Sequence, residues 1–142
     1  MNALGTTVDL DDAAGLLDAD RDGLLRAASM AGAQVRATAA EVDEGALAGL
    51  AEHSQPRSLI WVAGRGPAEA AGAMLAATLS GLAGQPVVVA AQIPPWVGPL
   101  DVVVVAGDDP ADPVLVTAAA TGARRGAQVV IVAPGEGPLR EA

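Results

Sequence analysis

Two short glycine loops hold the residues best placed to do chemistry in this chain. Gly64-Arg65-Gly66 follows an apolar run, Leu59–Ala63, and opens an Ala-rich segment that starts with Pro67. Gly107-Asp108-Asp109-Pro110 follows another apolar run, Val102–Ala106, and precedes an Ala-rich segment that starts with Pro113. Each loop reads as the turn from a strand into a helix, which is where a parallel α/β sheet puts its ligand. Glycine there lets the backbone approach an anion, and Arg65 would add a cation. The second loop is acidic instead, with Asp108, Asp109 and, a turn later, Asp112.

Each of these signals has a plainer competitor. As a dinucleotide fingerprint the first loop fails, because Glu69 stands where the third glycine belongs. Ala90, Ala91 and Gln92, after the next apolar run, also offer no acid for a ribose. A simple tight turn, or an anion site using Arg65, remains. Asp18-Ala19-Asp20-Arg21-Asp22-Gly23 imitates the start of a calcium loop, yet its twelfth position is Ser29 and its flanks read as helix straight through. Asp108-Asp109 could form a magnesium pocket of the receiver-domain kind, but that needs a lysine and the chain has none. Asp112, directly before Pro113, reads as a helix N-cap. His53 stands alone in a polar loop, Trp61 lies in a strand as core, and Trp96 is either core or a pocket wall. No Ser-His-Asp or metal-ligand constellation is recognisable, so no metal and no cofactor is expected.

Composition narrows the field further. The net charge of −9, with every cation an arginine, argues against nucleic acid and against anionic membranes, both of which need clustered basic residues. Absence of cysteine removes disulfides, thiolate nucleophiles and sulfur-ligated metals. No apolar run approaches the roughly 18–20 residues that span a bilayer. Residues 1–9 hold no basic residue and no apolar core of a signal peptide, so the cytoplasm is the expected location. Heavy use of Ala, Gly, Arg, Pro and Val suggests a GC-rich genome of actinobacterial type.

The elements that must position the loops can be read from periodicity. Residues 10–52 are helical in pattern, and Gly15, Gly23, Gly32 and Gly45 divide them into two or three helices. Four apolar runs follow: Leu59–Ala63, Val87–Ala91, Val102–Ala106 and Val129–Ala133. None alternates with polar residues, as expected of strands buried on both faces. Helices are expected over Pro67–Leu82 and Pro113–Arg125, each begun by proline and followed by glycine. The nine residues 92–100 hold three prolines and cannot be helix, but extended they reach roughly 30 Å, enough to start the next strand in parallel. The expected architecture is a three-layer αβα sandwich on a parallel sheet, with amino-terminal helices packed on it. Residues 1–56 form the helical segment and 57–142 an α/β subdomain, incomplete at its carboxyl end.

A helical lead-in, a strand ending in Gly64-Arg65-Gly66, and a strand-loop-helix unit closing on Gly126-Ala127-Gln128-Val129-Val130-Ile131-Val132 resemble the SIS (sugar isomerase) domain. Asp20-Arg21-Asp22-Gly23-Leu24-Leu25-Arg26 is similar to the amino-terminal helix of bifunctional phosphoglucose/phosphomannose isomerases, and the whole is similar to the TobH-like proteins built on that plan. The resemblance covers the first of the two SIS subdomains. It implies a flavodoxin-type strand order, a homodimer in the full-length form, and a sugar phosphate or related carbohydrate derivative bound at Gly64, Arg65, Gly66, Gly107, Asp108 and Asp109. It implies aldose–ketose isomerisation in a longer parent, with the catalytic residues outside this chain. In the family the second loop reads Ser-x-Ser-Gly-x-Thr-x-Glu. Here Ala106–Asp112 stands in that place with its hydroxyls gone and Asp112 at the terminal acid. That departure favours a second reading, a non-catalytic SIS module that senses a sugar derivative or serves as a dimerisation partner. An unrelated flavodoxin-like domain is the third.

Overall fold

The computed structural model describes residues 9–51, 55–64, 66–82 and 84–142. Contacts divide the chain into two compact units, residues 1–49 and 50–142, and each is taken by itself.

In the first unit, helix α1 (Ala13–Ala19) is capped by Asp12, whose carboxylate accepts the Ala14 N–H at 3.1 Å. Helix α2 (Leu24–Asp43) begins after Gly23, which has φ 70°. The chain is therefore not helical straight through the calcium-like stretch. Asp20 ends α1 and turns its carboxylate to the Leu24 and Leu25 N–H groups, at 2.7 and 3.0 Å. Those two amides are orphan donors at the start of α2, and a carboxylate satisfies them. Only a residue tolerant of the left-handed region can stand at position 23. Gly15 and Gly32 lie inside the helices, while Gly45 (φ 98°) falls between α2 and the short α3 (Ala48–Ala51), which lies across the unit boundary.

The second unit is a four-stranded, all-parallel sheet of β1 (Ser58–Ala63), β2 (Val87–Ala90), β3 (Asp101–Ala106) and β4 (Gln128–Val132) in the order β2-β1-β3-β4. That is the expected flavodoxin-type order. Strand neighbours alternate faces. Ile60, Val62, Val103 and Val105 face α5 (Pro113–Arg124) and form the core with Leu115, Ala118 and Ala119. Trp61 faces the other way, against α4 (Pro67–Leu79), where its indole N–H donates to the Ala68 carbonyl at 3.0 Å. The helices thus lie on opposite faces, and the sandwich has three layers.

All six residues of β3 are buried, which accounts for its unbroken apolar run. The helices end close to the expected glycines, although α4 stops at Leu79, where the Ser80 hydroxyl bonds back to the Ala77 carbonyl at 2.9 Å. The β2–β3 connection crosses without a helix, as its prolines require. It packs along α5: Val97 joins the core, Arg125 donates to the Pro94 carbonyl, and a Cβ on Gly126 would lie 3.2 Å from the Pro99 ring.

Candidate functional site

In the order β2-β1-β3-β4 the chain leaves β1 toward one edge and β3 toward the other. The carboxyl ends of β1 and β3 therefore flank the topological switch point, the crevice where open α/β sheets bind ligands. Gly64 and Gly107 stand there side by side. The Gly64 N–H donates to the Ala106 carbonyl at 2.8 Å and the Gly107 N–H to the Val132 carbonyl at 3.0 Å, extending the ladder one residue past the strands.

Close approach leaves no room for a side chain at Gly107 and little at Gly64. A Cβ on Gly107 would collide with Leu115 Cδ1 and come within 3.5 Å of the Gly64 Cα. One on Gly64 would stand 3.1 Å from Leu115 Cδ1 and 3.3 Å from Asp112 Oδ2. Gly66 has φ 97°, and a Cβ there would lie 3.6 Å from Asp108 Oδ2. The two loops predicted from sequence thus meet. Gly64, Asp108 and Asp109 line one cavity of about 280 Å³ with Asp112, Pro113 and Leu115. Arg65 lies outside the described residues, as does His53.

The carboxylates are partly committed. Asp109 Oδ1 accepts the Ala111 N–H and Asp112 Oδ1 accepts the Val114 N–H, each at 2.8 Å. Asp112 is thus the expected N-cap of α5, and its second oxygen faces Gly64 across the cavity. Asp112 serves both as the cap and, as the terminal acid of the loop, as part of the cavity wall. Leu115, which no sequence signal singles out, is fully buried and forms the floor. The loop is braced from behind, because the Leu139 N–H donates to the Pro110 carbonyl at 3.0 Å and Gly137 (φ 134°) packs against the Pro110 ring.

Three carboxylates around a glycine-lined cavity accept hydrogen bonds from hydroxyl or ammonium groups and repel a phosphate dianion. Among the described residues, no group of three or more His, Cys, Asp or Glu is placed to hold a metal ion.

A second polar cluster occupies the opposite, amino edge of the sheet. Asp101, at 1% exposure, pairs in register with Ser58 and accepts its hydroxyl at 2.7 Å, the Gly98 N–H at 2.9 Å and Arg57 Nε at 3.0 Å. Burial pushes the Asp101 carboxyl up, but the bonds from Arg57, Ser58 and Gly98 outweigh it and hold the group below its ordinary value. The bond to Asp101 in turn raises Arg57, which also donates to the Trp96 carbonyl and lies 5.7 Å from the Trp96 ring centroid. Every buried polar atom here has a partner, and the cluster is a strand clamp rather than a reactive centre.

Compared with known proteins, the sequence matches no family model and no curated protein. A solved structure, described as the crystal structure of a hypothetical protein, superposes with a TM-score of 0.64 at 18% identity, over 84% of this chain and 64% of that one. The chain therefore spans about 64% of the length of the protein it matches, and the likeness establishes the α/β fold. Among the described residues, no helix is long and apolar enough to cross a membrane.

Proposed function

We propose that this chain is a SIS-type domain that binds a carbohydrate derivative in the cavity between the β1–α4 and β3–α5 loops. The observation that carries the reading is the meeting of Gly64 with Asp108, Asp109 and Asp112 around one cavity at the switch point. Carboxylates directed at hydroxyls suit a polyol, and the glycines let the ring approach the backbone. In a longer parent with a second subdomain, the same cavity would present a sugar phosphate for aldose–ketose isomerisation by proton transfer through an enediol. Asp108 and Asp109 favour the non-catalytic module instead, because they stand in the part of the loop where the SIS pattern has phosphate-binding hydroxyls. Attraction of an anion by a helix terminus amounts to roughly 0.3–1 kcal/mol and is offset by the adjacent negative charge.

Thermal-shift titration with glucose, mannose and their 6-phosphates tests this. Stabilisation by the free sugars, weaker with the phosphates, is the expected result. Stabilisation by the phosphates alone would favour the isomerase reading, and no shift with any sugar would overturn carbohydrate binding and leave the dimerisation module. Replacing Asp108 and Asp109 together by serine should raise affinity for the phosphates about tenfold; an unchanged affinity would show that the carboxylates do not govern anion binding.

A further inference from the structure

The missing helix in the β2–β3 connection leaves the carboxyl edge of the sheet open on one flank of α5. A groove of about 360 Å³ runs there between Gln92 and Ile93 of the crossover and Val114, Thr117, Ala118 and Thr121 of the helix. Pro113 lines both this groove and the acidic cavity, so the two adjoin around the first turn of α5. Their chemistries differ sharply. The cavity holds three carboxylates, whereas among the described residues none that is charged lines the groove, in a chain of net charge −9. Its walls are held in place: the crossover is fixed to the far end of α5 through Arg125 and Pro94, and Ala118 belongs to the core.

From this juxtaposition we infer that the ligand is a glycoside, a neutral sugar seated among the carboxylates whose apolar aglycone lies in the groove beside α5. The inference rests on the carbohydrate-binding reading and narrows it. The cavity is large enough for one hexose ring, and the groove falls in the size range of small-molecule pockets, apolar with a few hydrogen-bonding groups at its margin. Gln92, Thr117 and Thr121 are those groups. A substituted anomeric oxygen also blocks ring opening, which enediol chemistry requires, so such a ligand belongs to a binding module and not to an isomerase.

Calorimetric titration of the full chain with paired methyl and phenyl glycosides of glucose and of mannose tests the assignment. Burial of the phenyl ring should tighten binding roughly tenfold or more over the methyl glycoside. Thr117→Trp, at an exposed helix position, fills the groove. It should reduce the preference for the phenyl over the methyl glycoside to less than about twofold. Methyl and phenyl glycosides binding alike would overturn the groove assignment while leaving the sugar site standing, as would a gain that survives Thr117→Trp. Failure of every glycoside to bind would overturn the sugar reading and this inference with it.

Discussion

Asp101 shows how one residue can be decisive without being functional. Its carboxylate gathers a hydroxyl, a backbone N–H and a guanidinium at the start of β3, far from the ligand loops. Asp101→Asn keeps the shape but sets an amide against donors, and it should cost roughly 2–3 kcal/mol at neutral pH. The lowered carboxyl fixes the sign of the pH dependence. Its contribution is complete above the ordinary carboxylate value of about 4 and is lost as the pH falls from there through the lower folded value. Urea midpoints of wild type and variant should therefore differ most at neutral pH and draw closer as the pH falls below about 4; a difference that does not shrink on acidification would refute the assignment. None of this was legible in the sequence, where Asp101 read only as the residue before an apolar run. Its partner Ser58 is 43 positions away, and only the parallel register of β1 and β3 joins them. Asp112, by contrast, was legible as a cap because its signal is local, one residue before a helix-starting proline.

Elements follow the same division between local and long-range signals. The strands were legible because β1 and β3 are covered by helices and need no polar alternation. The helix starts were legible because proline suits a first turn. The break between α1 and α2 was legible only as one of four candidate glycines; Gly23 is singled out by its left-handed backbone and by the Asp20 carboxylate that turns onto α2. Helix α4 carries a sharper constraint at Gly72, whose hydrogen faces the Trp61 ring so closely that any Cβ would overlap it. Gly72→Ala should destabilise the protein by about 1–2 kcal/mol, overpacking exceeding the gain in helix propensity. Gly32→Ala in α2 meets only the end of the Arg36 side chain at 3.5 Å and should stabilise by about 0.5–1 kcal/mol. Opposite signs in thermal unfolding are the expected outcome, and two destabilising changes would show that α2 is also packed at Gly32.

Across the whole sheet, burial falls from the centre outward. Strand β3 is buried throughout, β1 on alternate residues, and neither β2 nor β4 holds a buried residue, with Val89, Ile131 and Val132 at 40–52% exposure. Local opening follows that gradient. Amide hydrogen exchange should be slowest in β3 and β1, and at least tenfold faster in β2 and β4; uniform protection would mean that the edges are covered in solution. The switch-point loops hang from the two central strands, so the best-protected part of the sheet carries the candidate site.

The chain has two tryptophans and neither tyrosine nor phenylalanine, so its near-ultraviolet signal comes from two known positions. Trp61 is wedged between β1 and α4 with its N–H bonded, while Trp96 is half-exposed beside Arg57 at the amino edge. Neither lines the acidic cavity or the groove beside α5. Fluorescence of this protein thus reports the seating of α4 through one indole and the Asp101 clamp through the other. A ligand can fill the carboxyl-edge sites with little change in emission, so a flat fluorescence titration is no measure of an empty site.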